Sequence, residues 1–318
     1  MLNEFTNKLA ALGINKKEPL AIAVSGGSDS MALCYLCRNA GLNVTAIVVD
    51  HKFRKNSAKE AAAVSKYLEK ELAIEAVVLT NKKAIPKTGV EEFLREVRYD
   101  LIFSYLKKNK IKKLLMAHHL DDQVETFLMR LERGAGLDGL TGIKASSKLK
   151  VNGYEAEVIR PLLAYTKEEL KDVLKKNKIK WWEDPSNENI ELTRNNIRKT
   201  LSGFSDYNLI RKRISTVIEN IDRARDFIEE EKVKAVKQLV KTNKKAVTLD
   251  INKYKKLHTE IRLRVMRDII KQYSKTKKDV RISSIKTLDK SLLTKDFKVA
   301  SLHGLNISKK DKNLIIFK

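Results

Sequence analysis

The chain has 318 residues, 42% of them hydrophobic, with 65 Lys and Arg against 40 Asp and Glu and a formal net charge of +25. That length supports a sizeable core and two domains, and that hydrophobic share excludes a disordered chain. Two cysteines exclude a disulfide framework, and no apolar stretch approaches the ~20 residues that span a bilayer. The start Met1-Leu2-Asn3-Glu4-Phe5 lacks a basic-then-apolar leader, so the expected location is the cytoplasm, with no membrane partner. The excess of positive charge points to a polyanion, with nucleic acid as the expected partner.

In chain order, Leu20-Ala21-Ile22-Ala23-Val24 reads as a buried strand and Met31 to Cys37 as the opening of a helix. Ser25-Gly26-Gly27-Ser28-Asp29-Ser30 is the turn between them. Its glycines let backbone approach a ligand without a Cβ in the way. The free amides of the helix start attract an anion. The serines add hydroxyl donors, and Asp29 suits a Mg2+ that bridges phosphate oxygens. No G-x-x-x-x-G-K-[ST] occurs, so the turn is not a Walker A loop.

After a stop at Gly41, Val44 to Val49 forms a second strand ending at Asp50-His51. Ser57 with Glu60 predicts a capping box on a helix that runs to about Leu72. Ala76 to Thr80 is a third strand, Val90 to Lys108 a helix and Lys113 to Ala117 a fourth strand. At that strand's end His118-His119-Leu120-Asp121-Asp122 opens another helix. Beyond Gly142 come a short apolar segment, Val158 to Leu163, and a helix from Lys167 to Lys176 with Thr166 and Glu169 as its capping box.

From about Leu209 to Lys241 a long charged helix leads onward. After it, strands are expected at Ala246 to Leu249, Val299 to Leu302 and Asn313 to Phe317, with helices at Glu260 to Gln272 and Ser283 to Leu293. The alternation predicts an α/β, doubly wound parallel sheet of Rossmann-like type over residues 1–208. A smaller, mainly helical C-terminal domain is expected over 209–318.

Ligands in such sheets bind beyond the carboxyl ends of the strands. The Ser-Gly loop, Asp50-His51 and the stretch His118 to Asp122 all lie there, which makes them the expected site. Asp122 and Glu125 share a helix face; they are either site carboxylates or ordinary partners of the helix dipole. Arg95 and Arg98, and likewise Arg194 and Arg198, are either anion clamps or a solvated face. Gly134 to Gly139 spells G-x-G-x-x-G but follows a helix, so it reads as a helix stop. Cys34 and Cys37 lie among apolar neighbours and read as core. Trp181 and Trp182 are open between base stacking and core packing.

The hexamer Ser25 to Ser30 resembles the S-G-G-x-D-S signature of the PP-loop ATP pyrophosphatases. An ordered set extends the likeness: Val49 to Ser57, Arg95-Glu96-Val97-Arg98-Tyr99, Ala117 to Thr126, Arg133 to Gly136, Arg160-Pro161-Leu162-Leu163, Asp184 to Asn187 and Arg194 to Arg198. Over residues 18–200 the chain resembles the bacterial tRNA(Ile)-lysidine synthetases. Leu94 departs from the alanine usual there, and the C-terminal part resembles members with one small C-terminal domain.

The resemblance implies ATP and Mg2+ as cofactors, and free L-lysine and a tRNA(Ile) with a CAU anticodon as partners. ATP adenylylates the wobble cytidine at its carbon-2 oxygen, and lysine then displaces AMP. It implies that Ser25, Gly26, Gly27, Ser28, Asp29, Ser30, Asp50 and His51 hold ATP, with Asp29 on the metal. Arg98 and His118 face the phosphate charge. Asp121, Asp122, Glu125, Arg194 and Arg198 face the substrates, with Asp122 and Glu125 on the lysine ammonium groups. A homodimer is one option for assembly. A tRNA thiolase or a non-catalytic RNA-binding protein on the same fold are the alternatives.

Overall fold

The computed structural model describes residues 1–54, 56–182, 197, 203, 206–242, 246–274, 280–294 and 296–317. They form two compact units, Met1–Glu219 and Asn220–Lys318. The division falls within the long helix Tyr207–Leu239, whose first turns belong to the first unit.

The first unit is built on a six-stranded sheet in the order β3-β2-β1-β4-β6-β5. The strands are β1 (Leu20–Val24), β2 (Val44–Asp50), β3 (Glu75–Thr80), β4 (Lys113–Leu115), β5 (Ser146–Val151) and β6 (Tyr154–Ile159). All neighbours run parallel except β5 and β6. The helices are α1 (Leu2–Ala11), α2 (Ser28–Asn39), α3 (Ser57–Leu72), α4 (Val90–Lys108), α5 (Leu120–Glu132), α6 (Leu137–Leu140) and α7 (Lys167–Lys176).

Side chains alternate across the sheet, and both faces are covered. Leu20, Ile22, Val48 and Leu115 join a core with Phe5, Leu33 and Leu68, whereas Ala21, Ile47 and Leu114 join Phe103 and Leu106 on the other side. This is why β1 and β2 read as continuous apolar runs. Each large side chain buried this way stabilises the fold by about 1.5–3 kcal/mol.

Three local features differ from expectation. β5 was not expected; it pairs antiparallel with β6 through an Asn152-Gly153 turn, both residues at positive φ, the standard two-residue hairpin signal. Helix α1, which seats Phe5 and Leu9 in the core, was not assigned either. The Ser57–Glu60 capping box does not form: Asn56 is the N-cap, Ser57 Oγ donates to Asp50 Oδ1 at 2.7 Å, and Glu60 pairs with Arg54 at 3.1 Å. The Thr166–Glu169 box on α7 does form.

The second unit has a five-stranded antiparallel sheet, with helices packed around Tyr254, Ile270 and Leu314. Strands Val240–Thr242 and Leu305–Lys310 add to the three expected. Among the described residues no helix is long and apolar enough to cross a membrane.

Candidate active site

The carboxyl end of β1 leads into the Ser-Gly turn. Gly26 has φ +86°, and a Cβ there would lie 2.7 Å from Val64 Cγ2. Its carbonyl accepts from the Trp182 N–H at 2.9 Å. Ser30 Oγ donates to the Gly27 carbonyl at 3.0 Å and accepts from the Ser25 N–H at 3.3 Å, so the turn is tied across itself. No side chain caps α2. Its first-turn amides are therefore open to an anion from outside the chain.

Asp29, in the first turn of α2, is partly exposed. Its Oδ1 accepts from Ser28 Oγ at 3.1 Å and its Oδ2 lies 3.5 Å from His119 Nε2. His119 is the N-cap of α5 and is only 5% exposed. Its Nδ1 lies 3.4 Å from Asp121 Oδ2, close enough to pair but not aligned as a hydrogen bond. Burial opposes the charged ring, but the carboxylates of Asp121, Asp29 and Asp122 outweigh it and raise the pKa to about 10. His119 is thus an imidazolium set among three carboxylates. Burial also works against the Asp29 anion, yet His119, Lys167 and Ser28 bring its pKa below the ordinary value.

Asp121 faces the protein. Oδ1 accepts from Arg211 Nη1 and, at 3.2 Å, from the Tyr207 hydroxyl; Oδ2 accepts from the Lys167 N–H at 2.9 Å and faces His119. Three donors hold its oxygens, and His119 faces the second oxygen as a charge contact. Asp122 Oδ2 accepts from the His119 N–H at 2.9 Å, so it caps α5 while remaining partly accessible. Glu125, one turn on, is 2% exposed.

Asp50 also turns inward. Its Oδ1 accepts from the Lys52 N–H at 2.9 Å and from Ser57, which fixes the loop after β2. His51 is half-buried beside Arg98. Burial, with Arg98 beside it, lowers its pKa to about 4.

Three arginines and the neutral His118 ring form a connected group. Arg95, Arg98, Arg160 and His118 act on one another through space. Burial lowers the Arg98 and Arg160 pKa values, and Arg95 lowers both further. Among the described residues none of the three arginines pairs with a carboxylate. His118 keeps a buried Nδ1 without a partner, as Arg160 does its Nε. Burial lowers the His118 pKa to about 4; Arg160, Arg95 and His119 add to this, against Asp122. Arginines without a carboxylate partner among the described residues suit a polyphosphate.

Cys34 and Cys37 are fully buried in α2. Burial pushes Cys34 up to about 12 and Cys37 well above its ordinary value, so neither supplies a thiolate. Gly134 ends α5 at φ +68° and Gly136 is the N-cap of α6, with no strand before them; this loop is a helix stop. Trp182 packs edge-on against Tyr67, ring centroids 5.6 Å apart, and so backs the Ser-Gly turn from the core side. Arg194, Arg198 and the stretch Asp184 to Asn187 lie outside the described residues. The sequence placed His119 in the expected site stretch without a role of its own and assigned none to Arg160, Tyr207 or Arg211. A histidine two residues before a helix-opening acidic pair was the available signal for the first of these.

A strand, a Ser-Gly turn and an uncapped helix at a parallel sheet's carboxyl edge are the anion-binding arrangement of the PP-loop class. The PP-loop domain model (ATP_bind_3) matches residues 1–203. The tRNA(Ile)-lysidine synthase of Wolbachia pipientis wMel is 33% identical over 94% of this chain and 70% of its own length. That of Rickettsia bellii strain OSU 85-389 is 31% identical over 99% of this chain and 72% of its own. The chain belongs to the tRNA(Ile)-lysidine synthase family of PP-loop proteins. A solved structure, the U34-tRNA thiolase NcsA from Methanococcus maripaludis with its [4Fe-4S] cluster, shares the fold: TM-score 0.58 at 18% identity, over 69% of this chain and 77% of that one.

Proposed function

We propose that the chain is an ATP-dependent tRNA(Ile)-lysidine synthase, which joins free L-lysine to carbon 2 of the wobble cytidine in a tRNA(Ile) with a CAU anticodon. Family membership supports the activity. The observation that carries the chemistry is the group of Arg95, Arg98, Arg160 and His118, with no carboxylate paired to the arginines among the described residues, together with Asp29 at an uncapped helix.

In the first step the cytidine carbonyl oxygen attacks the α-phosphorus of ATP, and pyrophosphate leaves. The amides and hydroxyls of Ser25 to Ser30 hold the phosphates, and the arginine cluster with His118 stabilises charge on the departing pyrophosphate. In the second step the lysine ε-amine attacks carbon 2 and AMP leaves with the bonding electrons of the C–O bond; the amine's proton passes to solvent or to a carboxylate. Asp122 and Glu125 hold the lysine ammonium groups through charge-assisted hydrogen bonds.

Among the described residues no group of three or more His, Cys, Asp or Glu side chains suits a metal ion. Asp29 alone, partly exposed at the uncapped helix, fits Mg2+, which commonly takes one carboxylate plus substrate phosphates. Bound there, the ion would neutralise phosphate charge. The net charge of +25 favours tRNA through phosphate contacts.

Incubating the protein with ATP, Mg2+, labelled lysine and a CAU-anticodon tRNA(Ile), then digesting to nucleosides, tests the reading. Labelled lysidine is expected, and none from Asp29→Asn. Wild-type protein that incorporates no lysine refutes it.

A further inference from the structure

Two side chains of the long helix reach back to the site. The Tyr207 hydroxyl donates to Asp121 Oδ1 at 3.2 Å, and Arg211 Nη1 donates to the same oxygen. The Arg211 guanidinium lies 4.3 Å from the Tyr207 ring centroid, so the two brace each other. Asp121 Oδ2 faces His119 Nδ1 at 3.4 Å, and His119 Nε2 faces Asp29 Oδ2 at 3.5 Å. Arg211, His119 and Asp121 are 2%, 5% and 7% exposed.

The two nitrogens of an imidazole are distinct, and what holds one sets the direction of the other. Asp121 and Asp29 flank the His119 ring on opposite nitrogens as charge contacts, so the place of the Asp121 carboxylate biases the ring toward Asp29. Asp121 is in turn a buried anion whose place depends on its donors. Removing a donor lets the carboxylate rotate, and the ring and Asp29 follow.

We infer that Tyr207 and Arg211 are positioning residues for ATP binding, acting through Asp121 and His119 on the Asp29 carboxylate. The inference rests on the reading of Asp29 as the group that meets the ATP-bound cation. It adds residues about 90 positions beyond Asp121 in the chain, which no motif connects to the loop. Arg211 also pairs with Glu168, at 2.7 Å, whose side chain is 66% exposed. That contact offers a control, because it anchors the helix without touching Asp121.

The test is binding of labelled ATP to the full chain by equilibrium dialysis over a series of Mg2+ concentrations, without tRNA or lysine. Tyr207→Phe and Arg211→Lys should raise the Mg2+ concentration for half-maximal ATP binding by about three- to tenfold. That is below the roughly 10–100-fold typical when a group bonded directly to a metal ligand is removed. In turnover, both should raise the KM for ATP and keep kcat at saturating ATP and Mg2+. Glu168→Gln should leave the Mg2+ dependence unchanged. Tyr207→Phe deletes one oxygen and keeps the ring, so it tests the inference even if Arg211→Lys fails to fold. The inference falls if Tyr207→Phe lowers Tm but binds ATP and Mg2+ as wild type does, or if Glu168→Gln shifts binding equally. A wild-type chain that binds no ATP overturns the nucleotide reading and this inference with it.

Discussion

Gly26→Ala separates two physical demands of the phosphate turn. At φ +86° an L-residue pays for left-handed backbone, about 1–2 kcal/mol. The new Cβ would also lie 2.7 Å from Val64 Cγ2. Val64 is 2% exposed and packed between α3 and the sheet, so it has no free space to swing into. Overpacking of this kind costs about 1–3 kcal/mol. Together the two effects come to about 3 kcal/mol, which for a unit of this size lowers Tm by roughly 6–12 °C. If the turn moves off Val64 instead, the loss appears as weaker ATP binding. Val64→Ala removes the clashing methyl. Alone it should destabilise; added to Gly26→Ala it should cost much less, leaving only the backbone part. Thermal unfolding and ATP dialysis on the two single variants and the double variant measure the coupling. A Gly26→Ala protein with wild-type Tm and ATP affinity refutes the reasoning. Full additivity of the two changes would remove the steric half of it.

Three further outcomes are expected. Free His titrates near 6.5 whereas His118 in the fold titrates near 4, so between those pH values the unfolded chain binds the proton first and stability falls as pH drops. Thermal melts from pH 7 to 4 should show a shallower loss for His118→Gln than for wild type, with His51 retaining a similar share; parallel curves would contradict the buried neutral ring. Cys34→Ala/Cys37→Ala should lose about 1–3 kcal/mol of stability and keep lysine incorporation; a folded but inactive double variant would revive sulfur transfer. Glu125→Gln should impair lysine transfer more than adenylylation, so labelled ATP should yield accumulated AMP-tRNA that excess lysine partly clears; a folded variant that forms no AMP-tRNA would remove Glu125 from the lysine site.

What the sequence determined by itself was local or periodic. The hexamer Ser25 to Ser30 was legible because two glycines between an apolar strand and a helix leave the backbone few other options. The bounds of Val90–Lys108 and Lys167–Lys176 followed from hydrophobic periodicity and caps. The Asn152-Gly153 hairpin was equally local, and its signal was present in the chain.

The tertiary structure decided between neighbours. His118 and His119 are adjacent, yet the chain leaves the sheet after Met116 and turns into α5 at His119. One imidazole therefore meets arginines and the other carboxylates, and their pKa values move in opposite directions. Asp50 and His51 divide in the same way, the first into the loop and the second toward Arg98. Asp121 and Asp122 are both acidic at a helix start, but only Asp121 meets Tyr207 and Arg211. Those contacts join parts of the chain about 90 residues apart. Composition and spacing carry no information about which side chain will be buried beside which charge; packing of the long helix on the ends of α5 and α7 supplies it.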